Sequence, residues 1–562
     1  MREHDVPEPR RAPRRAGFDT LANVNVLAAS AVVDELVRAG LREVCISPGS
    51  RSAPLTLAFD ADERVSTTVH VDERCGGFYA LGLARASRRP VALVCTSGSA
   101  AAHYLPAVIE AFETGIPLVV LTADRPVPLL DSGSPQTTDQ YSLFGTHVRR
   151  FQDVECPRSE ARWMRWLRGR VCRVMEFAQT GRPGPVHMNF HFDEPLSGIQ
   201  EGAEVLRALA KEDPLAAYGR PGGRPFSPWA GAELRPSGPA LEELEELVRT
   251  KDRGVIVVGP LDANSEESEA IRFLARSLGV PVLVDPLSGL RSVGVDEDFL
   301  ITSYDAFLRD EEVAGGLAPE WVLRLGRVPT SKALVRWMDR HRDAALVVVD
   351  EQGRREDPNH SGAFFIRART AATCGLLGTV LRAGYDLSDA RREWSTAWRA
   401  ADSAAAGVLS RGAADAPAGF EGRLVPMLAE CLPAGTTLLA ASSMPIRELD
   451  TFLRPTSRPL RLLSNRGVNG IDGLVSTTLG VAAATEGPTV GLLGDLAFLH
   501  DLSGLAAVAR TGVCATIIVI NNGGGGIFQY LPVAETEAPT DELFVAEHEH
   551  SFAAAAEAAA KR

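Results

Sequence analysis

At 562 residues the chain exceeds what one hydrophobic core organises, so two to four domains are expected. An apolar fraction of 45% describes a globular protein, and a formal net charge of −13 argues against a nucleic-acid or anionic-membrane partner, which would need a basic surface. No apolar stretch approaches membrane-spanning length, and eight scattered cysteines without a CxxC pair read as mostly buried free thiols of a reducing, cytoplasmic protein.

Met1 to Arg15 is rich in Arg and Pro and lacks an apolar signal core, so residues 1–20 read as a disordered tail. From Asn23 to Pro195, apolar runs ended by turn residues alternate with helical patterns. Val44-Cys45-Ile46, Val91 to Cys95 and Pro117 to Leu121 look like parallel strands buried on both faces. They place a first α/β domain over residues 21–205. Pro, Gly and Ser crowd the stretch from Pro214 to Pro239, which reads as a linker over residues 206–240. A second set of runs (Val255 to Gly259, Pro281 to Val284, Trp321 to Leu325, Leu346 to Asp350) gives a central Rossmann-like domain over residues 241–395. An Ala- and Arg-rich helical segment from Arg391 leads through a linker at residues 396–418 to a third domain over residues 419–562. Its strands include Thr437 to Leu439, Thr489 to Leu493 and Thr516 to Ile520. The fold class is therefore α/β, with three doubly wound parallel-sheet domains. Ligand sites in such sheets lie at the carboxyl ends of the strands.

Three signals sit at such ends. Gly494-Asp495-Leu496 follows one strand and Asn521-Asn522-Gly523-Gly524 the next, with one crossover between them. A carboxylate, an amide oxygen and a backbone carbonyl are the hard ligands Mg²⁺ prefers, and the glycines let backbone approach phosphate oxygens. The plainer alternative is an Asn-Gly-Gly turn with Asp495 as a helix cap. Glu73 in His70-Val71-Asp72-Glu73-Arg74 opens a helix of small and apolar residues, where it could serve only the helix dipole. Four arginines follow strand-like segments: Arg51, Arg125, Arg447 and Arg466. Their forks suit carboxylates, so an anionic substrate is the reading weighed against ordinary salt bridges.

Taken in order, Ile46 to Ser52, Asp72-Glu73-Arg74, Thr96 to Ala100, Leu121 to Pro126, Ser464-Asn465-Arg466-Gly467 with Gly470-Ile471-Asp472-Gly473, and Gly494-Asp495-Leu496 resemble the MenD family. Its members are 2-succinyl-5-enolpyruvyl-6-hydroxy-3-cyclohexene-1-carboxylate synthases of menaquinone biosynthesis. The resemblance implies a pyrimidine-binding first domain, a central domain without coenzyme contacts and a diphosphate-binding third domain. It implies thiamine diphosphate and Mg²⁺ (or Mn²⁺) as cofactors, 2-oxoglutarate and isochorismate as substrates, and a homodimer or dimer of dimers with active sites across the subunit interface. The reaction implied is decarboxylation of 2-oxoglutarate and 1,4-addition of the succinyl unit to isochorismate. By resemblance, Glu73 activates the coenzyme; Asp495, Asn522 and the Gly524 carbonyl hold the metal; and Leu496 and Ile471 border the coenzyme. Ser443, Arg447 and Arg466 would face the oxoacid, Ser50, Arg51, Arg125 and Gln136 would face isochorismate, and Ile527 and Phe528 would wall the pocket. His70 and His103 are expected to be structural. The chain departs from the pattern at Ala497, where relatives often carry a hydroxyl. No middle-domain basic residue is assigned, and the third domain is expected to be truncated at its C-terminus. Two alternatives remain: another thiamine-diphosphate carboligase of the acetohydroxyacid-synthase type, or a non-catalytic protein that keeps the fold.

Overall fold

The computed structural model describes residues 23–197, 202–292, 298–382, 386–536, 539 and 541–560, so the tail expected over residues 1–20 lies outside the described residues. Strands β1 (Glu43–Ile46), β2 (Ser66–Val69), β3 (Val91–Cys95), β4 (Leu118–Asp124), β5 (Phe151–Val154) and β6 (Val186–His191) form one parallel sheet in the order β2-β1-β3-β4-β6-β5. β3 and β4 are buried along their whole length, which is why their sequences run continuously apolar instead of alternating.

The second sheet holds β7 (Gly254–Val258), β8 (Val282–Val284), β9 (Leu300–Ile301), β10 (Trp321–Leu325), β11 (Ala345–Val349) and β12 (Phe364–Ile366), ordered β12-β11-β10-β7-β8-β9. The third holds β13 (Thr437–Ala440), β14 (Arg461–Leu463), β15 (Thr489–Gly494) and β16 (Thr516–Ile520), ordered β14-β13-β15-β16. Every pair is parallel. In chain order within each domain, the third sheet repeats the second-first-third-fourth arrangement of the first sheet.

Both expected linkers are corrected. Within residues 206–240, helices Gly202–Glu212 and Pro214–Tyr218 send Leu209, Ala216 and Ala217 into the first domain's core. Pro214 occupies the first helical turn, where its missing N–H is no loss, and the Asp213 side chain caps the next amides. Irregular chain within that stretch is limited to residue 213, residues 219–220 and residues 224–237. Residues 396–418 mostly continue the helix Asp389–Asp415, whose Trp394 and Trp398 pack into the middle domain. Its Asp402 carboxylate accepts from the Thr302 and Ser303 amides at 2.9 and 2.6 Å.

Two contacts fix the third domain against the others. Helix Glu73–Ser87 crosses helix Leu474–Ala484 at glycines: a Cβ on Gly82 would sit 2.1 Å from the Thr477 carbonyl oxygen, and one on Gly480 2.0 Å from that of Tyr79. From the middle domain, fully buried Arg291 donates to the carbonyls of Leu449, Asp450 and Leu453, clamping the end of helix Met444–Phe452.

Candidate active site

The carboxyl ends of all four strands of the third sheet deliver candidate residues to one cavity of about 490 Å³. Ser443 and Arg447 follow β13, Arg466 and Ile471 follow β14, Asp495 and Leu496 follow β15, and Asn522, Gly524, Ile527 and Phe528 follow β16. Ser443 turns the chain sharply with a φ of +74°, a costly conformation for a non-glycine residue of the kind functional sites hold in place. Its carbonyl accepts from Arg447 Nη1 at 2.5 Å. Burial lowers the pKa of Arg447, and burial with repulsion from Arg447 contributes to lowering that of Arg466. Two partly desolvated guanidinium groups in one cavity favour an anionic guest.

Asp495 is 2% exposed. Its Oδ1 accepts from the Leu496 amide at 2.7 Å and its Oδ2 from the Gly524 amide at 2.9 Å, so the β15 and β16 ends are tied together. Gly524 has a φ of +141°, and a Cβ there would meet the Val545 carbonyl oxygen at 2.3 Å, so only glycine fits. Asn522 Nδ2 donates to Glu421 Oε1 at 3.1 Å, which leaves its amide oxygen as the free end. Among the described residues no group of three His, Cys, Asp or Glu side chains is placed to hold a metal ion, so a cation here would draw on one carboxylate, an amide oxygen and backbone carbonyls. That hard-oxygen set fits Mg²⁺ together with a diphosphate. His548 Nε2 lies 3.3 Å from Asp495 Oδ2, so the segment after Val545 closes over the same carboxylate.

The remaining candidates gather at the carboxyl edge of the first sheet, and none lines the cavity. Ser50 and Arg51 follow β1, Glu73 follows β2, and Arg125 and Gln136 follow β4. Arg51 Nη1 donates to the Phe192 carbonyl at 3.0 Å. Arg125 Nη1 donates to Ser97 Oγ at 2.7 Å and to the Gln136 carbonyl at 2.6 Å. Gln136, at a φ of +53°, returns a hydrogen bond from Nε2 to the Ser97 carbonyl at 3.1 Å. Burial and the charge of Arg51 both lower the Arg125 pKa, so these two cations converge. Glu73 is half-buried at the start of its helix, and its charge adds to burial in raising the pKa values of Cys95 and Tyr104. His70 is buried, its pKa pushed down to about 4 by desolvation and by Arg510.

Sequence reasoning missed four contributors. Lys332, on the loop-to-helix turn after β10, lines the cavity from the middle domain. Thr330-Ser331-Lys332 follows a strand run closely, and that strand-end position was the available signal. Glu421 orients Asn522, and His548 reaches Asp495. Glu110, 1% exposed, accepts from the Gly467 and Val468 amides at 2.9 Å each and so supports the loop that carries Arg466.

The order of domains also appears in known families. Residues 27–143 match the thiamine pyrophosphate enzyme N-terminal TPP binding domain, residues 227–438 the middle domain of thiamine pyrophosphate enzymes, and residues 449–561 the C-terminal TPP binding domain. A 2-succinyl-5-enolpyruvyl-6-hydroxy-3-cyclohexene-1-carboxylate synthase of Geobacillus thermodenitrificans is 44% identical over 94% of this chain and 87% of its own length. The chain belongs to that synthase family. Synthases of the same name from Chloroflexus aurantiacus (40% identity, 93% of this chain, 86% of the relative) and Halobacterium salinarum (39%, 96% and 90%) extend the match. Family membership makes the chain a thiamine-diphosphate enzyme of the transferase type, and the three parallel-sheet domains are those of such enzymes. Among the described residues no helix is long and apolar enough to cross a membrane.

Proposed function

We propose that the chain decarboxylates 2-oxoglutarate and adds the succinyl unit to isochorismate in menaquinone biosynthesis, in the cytoplasm, with thiamine diphosphate and Mg²⁺ bound. The observation that carries this reading is the convergence of Asp495, Asn522, Gly524, Arg447 and Arg466 on one cavity. Thiamine diphosphate, when bound, supplies the electron sink that decarboxylation of a 2-oxoacid requires. The protein's part is positioning and charge. Asp495, the free amide oxygen of Asn522 and the Gly524 carbonyl hold the cation; Leu496 and Ile471 border the coenzyme; Ile527 and Phe528 exclude water. Arg447 and Arg466, with Ser443 between strand and helix, take the carboxylates of the oxoacid. Glu73 would hold a proton at its carboxyl group within reach of the coenzyme's pyrimidine ring. Ser50, Arg51, Arg125 and Gln136 receive the acceptor.

The acceptor residues and Glu73 lie outside the cavity formed by their own chain, which supports a site completed by a second copy in a homodimer or dimer of dimers. Arginine variants test the assignment. Removing a guanidinium from a desolvated carboxylate costs roughly 2–5 kcal/mol, on the order of thirty- to several-thousand-fold in the affected step. Arg447→Ala therefore loses CO₂ release from 2-oxoglutarate alone, whereas Arg51→Ala keeps it and loses product formation after isochorismate is added. Equal failure of both at CO₂ release, or failure of neither, overturns this division.

A further inference from the structure

His191 ends β6 beside the acceptor cluster and is 3% exposed. Both of its ring nitrogens face acceptors. Nδ1 is 2.5 Å from the main-chain carbonyl of Arg125, and Nε2 is 3.1 Å from each carboxylate oxygen of Asp153 on β5. A neutral imidazole carries one N–H and satisfies only one of these sides; the imidazolium satisfies both. The next residue, Phe192, lends its carbonyl to Arg51, so the end of β6 anchors both converging arginines.

We propose that His191 is a positioning residue for Arg125: as an imidazolium held between Asp153 and the Arg125 carbonyl, it fixes the guanidinium that receives the anionic acceptor, and acceptor binding weakens when that proton is lost. The inference rests on the assignment of Arg125 to isochorismate.

The charged and titratable groups around the ring explain how the proton is kept. Burial opposes the charge, but the Asp153 hydrogen bond, the Arg125 carbonyl and the charges of Asp153 and Asp124 outweigh it, and the net shift is upward. Asp153, also bonded by Asn189 at 3.1 Å, is held below its usual range, with the contacts to His191 and Asn189 overcoming its burial. On the same strand, His187 is pushed down to about 3 by burial, so it is neutral and does not compete for Asp153. The guanidinium groups of Arg51 and Arg125 and the exposed Glu194 carboxylate lie toward solvent on the acceptor side. As pH rises through the raised value, Asp153 keeps the remaining N–H because a carboxylate is the stronger acceptor. The Arg125 carbonyl is then left facing a bare nitrogen.

Asp153→Asn separates this account from a merely structural role. Its amide can donate to Nε2, which leaves the proton of a neutral ring on Nδ1 and preserves the bond to Arg125. The holoenzyme, with coenzyme and Mg²⁺, is assayed for the KM of isochorismate and for CO₂ release from 2-oxoglutarate alone across the pH range in which His191 loses its second ring proton. In the wild type, KM for isochorismate rises about 3- to 10-fold above the His191 transition, as loss of one hydrogen bond implies, while CO₂ release does not follow that transition. Asp153→Asn keeps KM low through the same range, and His191→Ala has the raised KM at every pH. In ¹⁵N-histidine NMR spectra, a signal missing from His191→Ala reports both ring nitrogens protonated up to a pH above the ordinary imidazole transition. A flat wild-type KM, an Asp153→Asn profile that rises like the wild type, or a His191 that loses its second ring proton at or below the ordinary imidazole transition overturns the inference alone. A wild type that releases no CO₂ from 2-oxoglutarate overturns the proposed reaction and this inference with it.

Discussion

Asp495 has both carboxylate oxygens engaged by the amides of Leu496 and Gly524, so its orientation is set before any ligand arrives. Asp495→Ala should abolish Mg²⁺-dependent coenzyme binding, a loss larger than the roughly 10–100-fold typical of an outer-shell partner; unchanged affinity by calorimetry would remove it from the metal site. Glu73→Gln should leave the coenzyme bound yet slow hydrogen–deuterium exchange at its reactive carbon by about 100- to 10,000-fold, because an amide cannot supply the proton. Exchange at the wild-type rate, followed by NMR, would reduce Glu73 to a helix-start residue. Asp495 was legible in the sequence because it closes an apolar strand run, whereas Glu73, which follows the polar strand Ser66–Val69 and opens a helix, stood out only beside that third-domain signature. Glu110 and Glu421 were not legible. Their partners lie 357 and 101 residues away, and nothing local marks a carboxylate that will accept from a distant loop. His191 was hidden differently: it looks like one more polar residue at a strand end until β5 brings Asp153 beside it.

Among the elements, the crossing of helices Glu73–Ser87 and Leu474–Ala484 carries the greatest packing demand. Their backbones approach so closely that Gly82 and Gly480 have no room for a methyl group, and the clash in each case is with backbone, which cannot swing aside. Gly82→Ala should therefore cost about 1–3 kcal/mol and lower the melting temperature in scanning calorimetry; a melting temperature equal to the wild type would mean that the helices separate without penalty. Parallel strands read clearly from their apolar runs. The two supposed linkers did not, because a Pro at the start of a short helix and a mostly exposed 27-residue helix both resemble connecting chain in composition. Their apolar anchors, Ala216 and Ala217 in one and Trp394 and Trp398 in the other, are too few to give a long periodic signal.

At the scale of the molecule, the candidate residues form two groups, one at the carboxyl edge of the first sheet and one in the cavity of the third. If each active site pairs one group with the other group of a second chain, two crippled proteins can repair each other. A mixture of Glu73→Gln and Asp495→Ala chains, unfolded and refolded together, should regain about a quarter of wild-type activity, since half the dimers are mixed and each has one intact site. No recovery, with mixed dimers present by native mass spectrometry, would mean that each chain completes its own site. The alternation of strand runs and helical patterns pointed to α/β domains, but it carries no information on which surfaces of two copies meet.

The strand order shared by the first and third sheets has a further consequence. In both, candidate residues follow the strands that stand first, second and fourth in chain order (Arg51, Glu73 and Arg125 in one; Arg447, Arg466 and Asn522 in the other), and in the third sheet the third strand adds Asp495. On the proposed assignment, choice of acceptor and choice of oxoacid are thus written in separate stretches of the gene, on loops that tolerate change better than the strands beneath them. Evolution, or an engineer, can redraft the loops after β1 and β4 to accept a new ring without disturbing the machinery that releases CO₂.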